Sequence, residues 1–138
     1  MRELRILLAD DDPAVHVSLQ HLARGLGHQL DAVEDGKACL SKLKQHVYDL
    51  LFLDLIMPVV DGTQVLAYAR ENHPAMRVVM ISTLDEPLTI DSLLKSGASA
   101  YLIKPLRESM LTEVLSRIAS GTISQDLTPK TAGSSLDI

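Results

Sequence analysis

Three short stretches carry residues able to do chemistry: LLADDD, with Asp10, Asp11 and Asp12; LFLD, ending in Asp54; and YLIK, ending in Lys104. Each stretch closes an apolar run, and Leu50–Leu53, the run before Asp54, is too hydrophobic to flank a casual charge. Carboxylates brought within a few ångströms repel one another, which raises some of their pKa values unless a cation sits among them. Hard oxygen donors of this kind favour magnesium. Asp12 has a simpler reading as a helix cap, because Pro13 follows at a first helical position. Asp54 does not, since the LIMP that follows contains no immediate helix to cap.

The elements that must position these residues follow from hydrophobic rhythm. Short apolar runs alternate with segments of helical period, the pattern of a parallel sheet with helices on both faces. Strands are expected at Arg5–Ala9, Gln29–Val33, Leu50–Leu53, Arg77–Ile81 and Ala100–Ile103. Most are apolar on successive residues, so both faces should be covered. A first helix is expected from Pro13 to Arg24, with Val15, Leu19, Leu22 and Leu26 on one face. Others are expected at Lys37–Gln45, Thr63–Asn72, Pro87–Ser96 and Glu108–Ser120, the last with a stripe of Leu111, Val114, Leu115 and Ile118. In an open parallel sheet ligands bind beyond the carboxyl ends of the strands, where Asp10, Asp54 and Lys104 fall.

The chain of 138 residues, 46% hydrophobic, has room for one domain over 1–121. Residues 122–138, rich in Ser, Thr and Gly without helical period, are expected to be a flexible tail or linker. A net charge of −5 with mixed signs argues against direct nucleic-acid binding. No long apolar stretch reads as a secretion signal or membrane span, so a cytoplasmic location is expected. The single cysteine, Cys39, reads as helix packing. The histidines, His16, His21, His28, His46 and His73, show no metal spacing, are expected mostly on helix surfaces or turns, and receive no role.

LLADDD, LFLDLIMPVVDG, VVMIST and YLIKP, in this order and spacing, closely resemble the response-regulator receiver domain of bacterial two-component systems over about residues 4–120. The resemblance implies a flavodoxin-like (βα)5 fold, a doubly wound parallel sheet in order 2-1-3-4-5. It also implies that Asp54 accepts a phosphoryl group from a histidine kinase or phosphotransfer protein, with Lys104 and Ser82 as partners in that chemistry. Mg2+ would be held by Asp11, Asp54 and the carbonyl of Ile56, with Asp10 contributing through water. Lys104 would pair with Asp54 before transfer, and Pro105 resembles a cis-proline position. Ser82 and Tyr101 would form the switch, Tyr101 turning inward once Asp54 is modified. The chain then acts as a signalling switch rather than a turnover enzyme, its output passing to a downstream effector protein or a fused output domain. Homodimer formation stays open.

Two departures from the commonest pattern stand out. Thr83 replaces a small residue, and Ile56 and Leu84 present bulky apolar side chains beside the pocket. Ile56 and Leu84 are expected to obstruct the water that would hydrolyse the acyl phosphate. Three other classes compete. A contact-only module on the same fold should have lost pocket residues, and here none is lost. A flavodoxin-like cofactor binder needs a phosphate-cradling loop after the first strand, where Asp10–Asp12 would repel phosphate. A hydrolase needs a second acid or base near Asp54, and Leu55 and Ile56 offer neither.

Overall fold

The computed structural model describes residues 2–121. The expected tail, 122–138, lies outside the described residues. Strands and helices alternate: β1 (Arg5–Ala9), α1 (Pro13–Gly25), β2 (Gln29–Val33), α2 (Gly36–Gln45), β3 (Leu50–Asp54), α3 (Gly62–Asn72), β4 (Arg77–Ser82), α4 (Pro87–Lys95), β5 (Ala100–Ile103) and α5 (Glu108–Ser120). The strands form one parallel sheet in order β2-β1-β3-β4-β5, as the resemblance implied. Because the order reverses between β1 and β3, a crevice opens at their carboxyl ends.

Side chains alternate across the sheet and divide the interior in two. Ile6, Leu8, Phe52, Ile81 and Leu102 face α1 and α5, whose Leu19, Leu111, Val114 and Leu115 close that layer. Leu7, Leu51, Leu53, Met80 and Tyr101 face α2, α3 and α4 through Cys39, Leu43, Leu66 and Leu93. Burying an aliphatic side chain of this size contributes about 1.5–3 kcal/mol, so the two layers dominate the stabilisation. The thiol of Cys39 is packing, as expected: burial, assisted by nearby Asp35, pushes it up to about 12.

Beyond one-residue shifts at the ends of α1, α2, α3 and α4, four details differ from the expectation. β3 and β4 each run one residue further, to Asp54 and Ser82, because the ladder pairs Asp54 with Ile81 and Ser82 with Ile103. β2 is only partly buried, being an edge strand. Leu26 does not join the apolar face of α1; the helix ends at Gly25 and Leu26, its C-cap, is exposed. His28 lies in a turn, but a buried one, where its Nδ1 accepts from the Leu4 N–H at 3.0 Å. Among the described residues no helix is long and apolar enough to cross a membrane.

Candidate functional site

The site is made by strand ends and the turns that follow them. Asp12 caps α1, its carboxylate accepting from the Ala14 N–H at 2.9 Å, which stops β1 and turns the chain at Asp10–Asp11. Asp54 ends β3 and the following loop returns tightly: Gly62 N–H donates to the Leu55 carbonyl at 2.9 Å. Gly62 permits that return, since a Cβ there would lie 2.7 Å from the Asp54 carbonyl oxygen. Asp61 and Gln64 fix the loop's far end as a reciprocal cap on α3. Within the loop Val59 takes φ +71, and the Val60 N–H donates back to the Pro58 carbonyl at 2.8 Å. This is a positive-φ γ-turn, a strained conformation for a β-branched residue.

Asp10, Asp11 and Asp54 each offer a carboxylate oxygen, and the three oxygens lie within 4.8 Å of one another. Asp10 and Asp54 are buried, while Asp11 is exposed. Lys104, at the end of β5, reaches both buried carboxylates, with Nζ 2.8 Å from Asp10 Oδ2 and 3.5 Å from Asp54 Oδ2. The expectation had paired Lys104 with Asp54; the nearer partner is Asp10. Asp54 Oδ1 also accepts from the Ile56 N–H at 3.2 Å, and Asp10 Oδ1 from the Asp12 N–H at 2.8 Å.

The electrostatics follow from this crowding. Burial, and then the negative charge of Asp10, push the Asp54 carboxyl up to about 6, against the opposing pull of the Ile56 N–H and Lys104. For Lys104, burial works to lower the ammonium, but the hydrogen bond to Asp10 and the charges of Asp54 and Asp10 outweigh it and hold the group above its ordinary value. Asp10 Oδ2 is buried, and among the described residues its partner is the Lys104 ammonium at 2.8 Å. An all-oxygen donor set of three carboxylates within 4.8 Å of one another, with a single ammonium beside them, fits a small hard divalent cation.

The remaining candidates border the same crevice. Ser82 ends β4, and its Oγ accepts from the Leu84 N–H at 3.1 Å. Tyr101 is fully buried and its hydroxyl donates to the Leu84 carbonyl at 2.8 Å, so its ring points inward. Leu84 is thereby gripped at both backbone groups by the two residues read as the switch. Ile56 is 56% exposed and Leu84 41%, which leaves their side chains at the rim. Thr83 is exposed beside them, and the Lys104–Pro105 peptide bond is cis. Beside Lys104 a cleft of about 480 Å³ runs between α1 and the loop after β5, lined by Ala14, Ser18, Thr83, Pro105 and Leu106.

Three features escaped the sequence: the Asp10–Lys104 pair, the double grip on Leu84, and a contact from His16 Nε2 to the Asp10 carbonyl. All join residues of different elements or different turns. Only the His16 contact had a local signal, a histidine in the first turn of the helix that Asp12 caps.

A family model described as the response regulator receiver domain matches residues 6–116. The chain belongs to this family. The receiver domain is 33% identical over 120 residues to the transcriptional regulatory protein ZraR of Klebsiella oxytoca, covering 87% of this chain and 27% of that protein. It is 37% identical over 118 residues to the transcriptional regulatory protein QseB of Haemophilus influenzae, covering 83% and 51%. The chain thus spans about half or less of the length of these curated relatives. Among solved structures, a two-component response regulator from Clostridium difficile superposes with a TM-score of 0.82 at 26% identity, over 88% of this chain and 100% of that one. The Francisella response regulator 1452 receiver domain gives 0.80 at 27% identity, with 88% and 100% covered. Receiver domains belong to signalling regulators of two-component systems rather than to a family of turnover enzymes.

Proposed function

We propose that this receiver domain is a phosphoacceptor: a carboxylate oxygen of Asp54 attacks the phosphorus of a phosphohistidine on a partner kinase or phosphotransfer protein. The new O–P bond makes an aspartyl phosphate, the P–N bond breaks, and its electron pair stays on the departing imidazole nitrogen. The observation that carries this reading is the Asp54 carboxylate at the end of β3, flanked within 4.8 Å by carboxylate oxygens of Asp10 and Asp11 and within 3.5 Å by the Lys104 ammonium. Near neutral pH Asp54, with a value of about 6, is mostly the ionised nucleophile.

Asp11, Asp54 and the Ile56 carbonyl would hold Mg2+, with Asp10 contributing through water, and the bound ion would neutralise charge on the phosphoryl oxygens. Lys104 would shift from the carboxylates to a phosphoryl oxygen, a charge-assisted contact. The Ser82 hydroxyl donates to another phosphoryl oxygen while its lone pair keeps the Leu84 N–H, so its movement toward that oxygen draws along the loop that Tyr101 also holds. Tyr101 is the other half of the switch, its inward ring tied to the same loop through the Leu84 carbonyl. The readout is a changed surface on α4, β5 and α5, offered to a downstream effector or a fused output domain. The kinase approaches over the crevice and the cleft beside α1, and the domain works in the cytoplasm.

The test is incubation with magnesium and a small phosphodonor, followed by intact-mass measurement. One added phosphoryl group is expected, absent from Asp54→Asn and absent when magnesium is chelated. No addition to the wild type under any donor, with beryllofluoride also failing to bind, would leave the contact-only class in its place.

A further inference from the structure

In the turn Asp10–Asp12 three backbone groups are met by main chain or by the turn's own carboxylates. Asp10 N–H donates to the Val33 carbonyl at 3.1 Å, Asp12 N–H to Asp10 Oδ1 at 2.8 Å, and the Asp12 carbonyl accepts from the N–H groups of Val15 and His16 at 3.1 and 3.3 Å. The Asp10 carbonyl differs, because its partner is a side chain, His16 Nε2 at 2.5 Å. A carbonyl oxygen only accepts, so Nε2 carries the proton and donates. His16 is half-buried in the first turn of α1, from which its ring reaches back over the turn.

That bond fixes the peptide plane joining Asp10 to Asp11, and with it the direction in which the Asp11 side chain leaves the backbone. The other two carboxylates need no such help. Asp10 is 0% exposed and Asp54 5% exposed, so packing and the sheet hold them, whereas Asp11 sits in solvent on a turn. An exposed carboxylate on a free turn loses backbone and rotamer freedom when it joins a cation, which opposes binding. Fixing the turn beforehand removes part of that cost.

We propose that His16 is a positioning residue for the acidic site: by pinning the Asp10 carbonyl through Nε2–H, it presents the Asp11 carboxylate to a cation shared with Asp10 and Asp54. The inference rests on the reading of this cluster as a magnesium site. Groups that orient metal ligands from outside the coordination shell commonly change affinity by about 10–100-fold when removed.

Two substitutions separate donor position from bulk and polarity. In His16→Gln the amide nitrogen falls near the place of Nε2 and can still donate, while in His16→Asn it falls near Nδ1 and leaves the Asp10 carbonyl without a donor. Magnesium affinity of the full chain is measured by calorimetry, and thermal midpoints are measured in chelator. His16→Gln should bind within about twofold of wild type and His16→Asn about tenfold more weakly, the midpoints of the two variants agreeing. Equal affinity of His16→Asn and wild type overturns the role of His16 alone. So does equal weakening in both variants, or a weakening matched by a lower midpoint, which is what a merely structural histidine would give. A wild-type chain that takes up no magnesium overturns the magnesium reading and this inference together.

Discussion

Removing the charge of Asp54 should stabilise the metal-free protein, and the size of the effect follows from the burial of that charge. The carboxyl is raised from 3.8 to about 6 in the folded state, mainly by burial and then by Asp10. A raised acid binds more protons folded than unfolded, so its contribution is complete below the unfolded value and is lost as pH rises through about 6. At about 1.4 kcal/mol per unit the ceiling is about 3 kcal/mol, and relaxation of Lys104 and entry of water should leave about 1–2 kcal/mol. Asp54→Asn keeps an oxygen for the Ile56 N–H and leaves Lys104 its closer partner Asp10. In chelator at about pH 8 the variant should therefore melt higher by about 4–8 °C, taking about 4 °C per kcal/mol for a domain of this size. The gap should shrink as pH falls and close near pH 4, where the wild-type carboxyl is itself neutral in the folded protein. Magnesium should reverse the order, raising the wild-type midpoint by mass action and the variant's far less. Calorimetric or circular-dichroism melts across this pH range provide the measurement. A variant no more stable than wild type at about pH 8 in chelator, or a gap that ignores pH, would refute the account of Asp54 as a strained, metal-seeking carboxylate.

Three further outcomes follow from individual positions. Ile56→Asn and Leu84→Glu, at the exposed rim of the crevice, should each speed loss of the phosphoryl group severalfold by admitting and orienting water. Equal or slower loss in a dephosphorylation time course rejects that role. Gly97 has φ +111, and a Cβ there would collide with Cδ of Arg70, so Gly97→Ala should cost about 2 kcal/mol in urea denaturation. Val59 is 85% exposed at φ +71, so Val59→Asn loses little burial and relieves the backbone, with an expected gain of about 1 kcal/mol in the same assay.

Much of this protein was legible without coordinates, for a physical reason that differs from element to element. β1, β3 and β4 are buried on both faces, so their composition had to be continuously apolar, and their limits could be read to within one residue. α5 buries one stripe, and Leu111, Val114, Leu115 and Ile118 announce it by spacing alone. The edge strand β2 and the end of α1 were less clear. Partial exposure relaxes the apolar pattern in β2, and Leu26 kept the helical period after the helix itself had ended.

The sequence by itself determined the strand-helix alternation, the strand ends that bear Asp10, Asp54 and Lys104, and the caps and glycine that turn the chain there. These are local matters of period, capping and steric room. Tertiary structure alone decided that Lys104 lies nearer Asp10 than Asp54 and that Tyr101 is buried with its hydroxyl on the Leu84 carbonyl. Distances of a few tenths of an ångström between side chains from different strands and helices depend on how whole layers pack. No pattern along a chain encodes them one residue at a time.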